Sequence, residues 1–404
     1  RLVPALLLGE IVGRGALTGE GGSMTRWRGS GLAVAVLAIG LLTGAMLPDD
    51  PALLEAIRGG DVAAVRSLLR EGADPNAAQG DGMSALHLAA QEGSLDVAEL
   101  LLSAGAEVDA ETKIGAYTPL HVAAGAARLS VVQALLAAGA NPGALTTTTG
   151  VTPLHLAAKA LGGERAVREL AESGAPVNAR EASSGQTALM FAAAHGRTAS
   201  VMELLTHSAD PSITTDVIDV LKRIVVDREA NKRLADEIAE VRRSTPGGTE
   251  RELTAAEEQR AIAAQRAFLR SREQVDRVLE GFTPDQLSNK RPWWSLQNGV
   301  DQSLDTIVAR PIKETLVERT GGMTALLYAA RDGQTEAAAA LLDGGADIDQ
   351  ISGDGSTPLL LAVLNGRYGL AMELIERGAN PSLATNTDGV SPLFAVLQTQ
   401  WSLK

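Results

Sequence analysis

The apolar positions of this chain recur at helical spacing in two short, alternating kinds of segment. Leu120, Ala123 and Ala124 fall at i, i+3 and i+4, which makes one narrow stripe. Leu95, Ala98, Leu101 and Leu102 make a second kind of stripe, repeated one unit later by Val131, Leu135 and Leu136. Thr118 and Thr152 stand just ahead of the first kind, where a hydroxyl accepts from backbone N–H groups that would otherwise be orphaned. Pro119 and Pro153 follow at the first helical position, where a missing N–H costs nothing and a fixed φ helps. The second kind stops at Gly105, Gly139, Gly174, Gly345 and Gly378, as a left-handed helix end favours. Asp74-Pro75, Asn141-Pro142, Asp210-Pro211 and Asn380-Pro381 then read as turns. The pattern predicts pairs of short antiparallel helices.

The pairs are periodic. A Ser/Thr, Pro/Ala, Leu triplet starts at Ser84, Thr118, Thr152, Thr187, Thr324, Thr357 and Ser391, with gaps of 34, 34, 35, 137, 33 and 34 residues. A Gly-Ala-Asp/Asn triplet or near variant starts at Gly72, Gly105, Gly139, Gly174, Ser208, Gly345 and Gly378, with gaps of 33, 34, 35, 34, 137 and 33. Two independent markers share one period and one interruption, which amounts to 104 extra residues. A fixed period of this length is the mark of a solenoid.

The units resemble ankyrin repeats over about 245 residues, Pro51 to Ser212 and Gly321 onward. The motif is plainest in Thr118-Pro119-Leu120-His121-Val122-Ala123-Ala124, in Thr152-Pro153-Leu154-His155-Leu156-Ala157-Ala158, and in Glu99-Leu100-Leu101-Leu102-Ser103-Ala104-Gly105-Ala106. The resemblance implies an all-α solenoid, each repeat a β-turn and two antiparallel helices, with short hairpin loops between them. It also implies that His87, His121 and His155 are structural, bracing the hairpins through hydrogen bonds. Thr187-Ala188-Leu189-Met190 and Thr324-Ala325-Leu326-Leu327 lack the histidine, so those units are expected to be braced less well. The overall pattern is similar to that of exported bacterial ankyrin-repeat proteins.

One repeat cannot bury both its faces and depends on its neighbours. Residues 50–212 read as an N-terminal cap plus four repeats, and 321–404 as two repeats plus a truncated one. The cap, Ala52 to Leu69, starts at Asp50-Pro51, and Leu53, Leu54, Ile57, Val65, Leu68 and Leu69 form its apolar face. The seventh repeat stops soon after Ser391-Pro392-Leu393-Phe394-Ala395, which leads us to expect exposed Leu393, Phe394 and Trp401 and a natural chain that continues past Lys404.

The interruption, residues 213–320, falls in the hairpin between the fourth and fifth repeats, where length grows without cutting a helix. Val217 to Arg243 lacks Gly and Pro and predicts a helix; Ser244-Thr245-Pro246-Gly247-Gly248 breaks it. Thr249 with Glu252, or Thr254 with Glu257, supplies a capping box for a second helix running to about Leu279. Ile218, Leu221, Val225, Leu234, Ile238 and Val241 are expected to face Ile262, Leu269, Val275 and Leu279 in a helical hairpin. Trp293 and Trp294 beside Lys290 and Arg291 are either a contact patch for a partner or the residues that dock the insertion on the array.

The first fifty residues read differently. Met24-Thr25-Arg26-Trp27-Arg28 is a short basic segment, Gly31 to Leu47 is an uncharged apolar run, and Thr43-Gly44-Ala45 offers small residues for cleavage. Residues 24–45 thus predict a secretory signal cut after Ala45, or alternatively a membrane anchor through 31–47. Residues 1–23 are expected to be non-native upstream translation, since Gly19-Glu20-Gly21-Gly22 is what a ribosome-binding site reads as if translated. The expected location is periplasmic or extracellular, or membrane-anchored with the repeats outside the cytoplasm.

Charge changes the picture of the partner. The net charge is −13, and residues 213–320 hold 18 basic and 19 acidic residues, so the excess lies on the repeats. That disfavours nucleic acid and would steer a basic protein partner. With no cysteine there is no disulfide, thiolate metal site or cysteine nucleophile. His195 and His207 lie outside any His-Glu-x-x-His spacing, and no phosphate loop or nucleophile elbow occurs. Asp354 and Asp388 recur once per hairpin, which fits turn chemistry better than calcium. The expected function is therefore non-catalytic protein recognition with no cofactor. The resemblance places it on the concave face and hairpin tips, for which Met83, Gln91, Glu92, Tyr117, Lys159, His195, Arg331 and Asn365 are the candidates, with Trp293 and Trp294 in the insertion. The alternatives are an enzyme in the insertion or beyond Lys404, and an envelope scaffold.

Overall fold

The computed structural model of the protein describes residues 51–244, 253–281, 319–386 and 389–401. The cap is a helix pair, α1 (Pro51–Arg58) and α2 (Val62–Glu71). Four repeats follow: α3 (Ala85–Glu92) with α4 (Leu95–Ser103), α5 (Pro119–Gly125) with α6 (Leu129–Ala137), α7 (Pro153–Lys159) with α8 (Glu164–Glu172), and α9 (Ala188–Ala194) with α10 (Thr198–Thr206). The insertion contributes β1 (Val217–Asp219), α11 (Val220–Ser244), α12 (Ala255–Arg270), α13 (Arg272–Glu280) and β2 (Arg319–Gly321). The array resumes with α14 (Ala325–Asp332) and α15 (Thr335–Asp343), α16 (Pro358–Leu364) and α17 (Tyr368–Glu376), and a last helix α18 (Pro392–Trp401).

The first helices stack side by side from the cap to α18, and the second helices form a parallel row beside them. Leu86, Leu120, Leu154 and Leu189, one per repeat, are sealed from solvent, as are the alanine pairs Ala123-Ala124 and Ala157-Ala158 that let neighbours approach. Each such leucine contributes roughly 1.5–3 kcal/mol of burial. In the cap Leu53, Leu54, Ile57 and Val65 are buried, while Leu68 and Leu69 are half-buried. Thr118 and Thr152 cap their helices as expected, and Ser84, Thr324 and Thr357 do the same; Thr187 makes no such bond. Leu393 and Phe394 are exposed, 68% and 48%. The Trp401 side chain lies outside the described residues.

Adjacent repeats are also tied at their loops. The Asn76 side chain accepts from the Glu107 N–H at 2.7 Å, Asn178 from Asp210 at 2.9 Å, and Asp349 from Asn380 at 2.9 Å. Asp109 accepts from the Asn141 N–H in the same way. At the junction of the second and third repeats both halves of this link are missing together: Gly143 has no side chain to accept and Pro176 no N–H to donate.

The insertion leaves the stack unbroken. Helices α9 and α14 of the fourth and fifth repeats pack directly, and the Gln186 amide donates to the Tyr328 hydroxyl at 2.7 Å across the junction. Strands β1 and β2 pair antiparallel, Val217 opposite Gly321 and Asp219 opposite Arg319. This stem joins the row of hairpins on both sides: the Asp216 N–H donates to Ser184 O at 2.8 Å, and Gly353 N–H to Gly321 O at 2.8 Å.

Beyond the stem the insertion has its own small core of Val226, Ala230 and Phe268, with Val275, Val278 and Leu279 against it. Several expectations are corrected here. Val217 to Asp219 is strand, because these residues pair with β2, so Ile218 is exposed and not part of a helical face. Phe268 fills the interface and its neighbour Leu269 points to solvent, 44% exposed, since one residue turns a helix by about 100°. The second helix is not continuous to Leu279: it ends at Arg270, and Ser271 caps a new one. Val225 and Val241 are buried, and Leu234, Ile238 and Ile262 half-buried. The Leu221 side chain is outside the described residues. The capping box is Thr254 with Glu257; Thr249 and Glu252 also lie outside the described residues.

Candidate interaction surface

The surface begins with what fixes the hairpins. In His121 the Nδ1 atom accepts from the Thr118 N–H at 3.2 Å, which leaves Nε2–H to donate to Val151 O of the next hairpin at 3.2 Å. His87 reaches Tyr117 O at 2.8 Å and His155 reaches Gln186 O at 3.1 Å. Burial lowers all three imidazoles below their ordinary pKa, and the bonds to carbonyl oxygens only partly offset it. Each is therefore a neutral ring bridging two repeats. Met190, Leu327 and Leu360 occupy the same place further on and make no such bridge.

The hairpin turns carry their own fixings. The buried Glu181 carboxylate loses hydration, which raises its pKa, but bonds from Ser183, Ser184 and the Gln186 N–H outweigh this and hold it at about 2. Asp354 likewise accepts from the Ser356 N–H at 3.1 Å and from the Ser352 hydroxyl, which accounts for it by turn chemistry. Asp388 lies outside the described residues. Among the described residues no three His, Asp or Glu side chains converge as a metal would require. His207 instead sits 3.3 Å from the Glu203 carboxylate, which Arg168 grips with two bonds of 2.8 Å.

The predicted contact residues fall into three groups. Gln91, Glu92, His195, Arg331 and Asn365 are exposed at the ends of first helices. Met83, Tyr117 and Lys159 are half-buried; Met83 packs on the core, and the Tyr117 ring meets His121 edge to face at 5.8 Å. Trp293 and Trp294 lie outside the described residues. Arg331 lies over the Tyr328 ring, 4.8 Å from its centre, and pairs with Asp332 at 2.9 Å.

Sequence reasoning missed how the charges are sorted. The loops that lead from each second helix into the next repeat carry Glu71, Asp74, Asp81, Glu107, Asp109, Glu111, Glu181, Asp210, Asp347, Asp349 and Asp354, against Lys113, Arg180 and Arg377. The opposite edge is made of the turns between first and second helices. There the second to sixth repeats present Arg128, Lys159, Arg197, Arg331 and Arg367, against Glu164 and Asp332. Arginine recurring immediately before a second helix was the available clue, since Arg128, Arg197 and Arg367 hold the same position in their repeats.

A family model described as ankyrin repeats matches three times, at residues 53–146, 120–215 and 295–385, together more than half of the 404 residues. The 2-5A-dependent ribonuclease of Mus musculus is 43% identical over 72 residues, which is 18% of this chain and 10% of that protein. The chain thus matches about a tenth of that relative's length. Repeated helix pairs, capping threonines, bridging histidines and the triple match agree: the chain belongs to the ankyrin-repeat family.

Proposed function

We propose that this chain is a protein–protein interaction module whose partner is bound by the first-helix side of the array and its hairpin tips. One observation supports this most: Gln91, Glu92, His195, Arg331 and Asn365 stand exposed at the ends of first helices in the first, fourth, fifth and sixth repeats, on an array whose hairpins are fixed by loop-to-loop bonds and, in the first three repeats, by buried histidines. Rigid elements presenting separately variable side chains suit recognition, because little side-chain order is lost on binding. Ankyrin repeats are in general non-catalytic, and the ribonuclease named above overlaps too little of this chain for its activity to be carried over.

The test is affinity capture with the full chain, repeated with Gln91, Glu92, His195 and Asn365 changed together to alanine. Loss of a captured protein with the fold intact supports the reading; capture unchanged by the four substitutions would remove this surface. We further propose export, from the basic start and apolar run of residues 24–47. Cell fractionation and N-terminal sequencing check it, and an intact cytoplasmic chain would end it. No helix among the described residues is long and apolar enough to cross a membrane.

A further inference from the structure

We propose that the edge formed by the turns between first and second helices, from the second to the sixth repeat, binds an extended acidic segment of a protein partner. This rests on the interaction reading above and gives the partner its chemistry.

The cations on this edge form a regular row, one per repeat. Elsewhere several arginines are paired with carboxylates, among them Arg168 with Glu203, Arg377 with Asp343, Arg223 with Asp227 and Arg277 with Glu273. Among the described residues Arg128, Lys159, Arg197 and Arg367 have no carboxylate within ion-pair distance, and Arg331 between them has only Asp332. They are also held in place. Arg128 Nε donates to Gln91 O at 3.3 Å and Arg197 Nε to Lys159 O at 3.0 Å, each reaching back one repeat. The stem of Arg128 crosses Gly93 so closely that a Cβ there would stand 2.7 Å from Cδ; Arg367 crosses Gly333 in the same way at 2.6 Å. Since Nε is committed to the carbonyl, the outer guanidinium nitrogens of Arg128 and Arg197 remain for a ligand.

The spacing selects the ligand. Helices with alanine contacts pack about 8–10 Å apart, so the cations recur at about that interval. Three residues of extended chain cover about 10 Å, so a strand with Asp or Glu at every third position meets one cation per repeat. Leu161, 80% exposed in the turn after Lys159, offers one apolar contact in the middle of the row. The net charge of −13 opposes any anion at long range, the acidic segment included, so the local row of cations has to carry the attraction and the expectation of a basic partner does not extend to this edge.

The experiment uses the full chain and a fluorescent 15-residue peptide with Glu at every third position, read by anisotropy at low salt. A peptide with Gln in place of Glu, a 15-nucleotide oligothymidylate and phosphatidylserine vesicles are the competitors. Tenfold or greater preference for the Glu peptide over the Gln peptide is expected, falling as salt approaches 0.15 M, where screening acts within about 8 Å. The double change Lys159→Glu with Arg367→Glu should cost tenfold or more; Lys159→Arg with Arg367→Lys should keep binding. Thermal melts establish that each variant folds. Equal binding of the two peptides, indifference to charge reversal, or preference for the oligonucleotide or the vesicles would each overturn the proposal. A captured protein partner whose binding survives charge reversal overturns this edge alone, whereas failure to capture any protein overturns the interaction reading itself.

Discussion

The first three repeats and the three that follow share a backbone plan but are held together differently. In the first three, His87, His121 and His155 join each repeat to the next hairpin; in the later ones the apolar side chains of Met190, Leu327 and Leu360 fill the same space. The later repeats still stack, and Leu326, Leu341, Leu360 and Leu374 are as sealed as their counterparts upstream. Apolar packing therefore suffices for the fold, and the imidazole adds a lateral tie between repeats. Because an array's stability is approximately a sum of repeat and nearest-neighbour terms, the two halves should differ in how far local damage spreads.

The strongest way to break the comparison is to remove a sealed leucine in each half. Leu154→Ala and Leu359→Ala should each cost about 2–5 kcal/mol. In urea titrations followed by hydrogen exchange, the Leu359→Ala damage should stay within the fifth to seventh repeats, while Leu154→Ala should loosen the braced block as a unit. Equal spreading in both halves would mean that the histidine ties carry no coupling.

Next in size is the tie itself. His121→Leu leaves the buried Thr118 N–H and Val151 O without their partner, at a cost of about 1–3 kcal/mol. The same change already exists naturally at Leu360, so Leu360→Ala should show a packing loss but no orphaned polar group. Urea midpoints of the two variants make the distinction.

Acid removes the tie more gently. Burial holds the three histidines below the ordinary value of 6.5, so below that pH the unfolded chain takes up more protons than the folded one. Stability should be fully present above about pH 6.5 and fall as pH drops toward the folded values. The fall between pH 7 and 5 should shrink in a triple His→Leu variant. Glu181, held at about 2, contributes stability that is lost only well below this window.

The smallest effect compares two threonines. Thr152→Ala removes a cap and should cost about 1 kcal/mol. Thr187→Ala, where no capping bond exists, should cost clearly less by thermal melt.

The features legible in sequence were those set by local chemistry repeated many times. Caps at Ser84, Thr118 and Thr152, glycine helix ends and the histidine position each announced themselves through spacing, and two markers located the interruption. What escaped depended on a single partner. Whether Phe268 or Leu269 faces inward is decided by where α11 lies, and Val217 to Asp219 became strand only because β2 arrives from a hundred residues downstream. Gln91, Glu92, His195, Arg331 and Asn365 are exposed at helix ends, whereas Met83, Tyr117 and Lys159 are half-buried by packing, which position in a motif does not reveal. Summed charge likewise concealed that acids and bases are sorted to opposite edges.

The stem at β1 and β2 has a practical meaning for how such a chain is built. Entry and exit of the long excursion lie on adjoining strands, about 5 Å apart, and the stem is bonded to the neighbouring hairpins on both sides as an ordinary turn is. Lengthening a closed loop costs only a slowly rising logarithm of its size. A hundred residues can thus be spliced in or cut out there as a cassette, with the array reading straight through, so this junction is a natural port for grafting foreign modules.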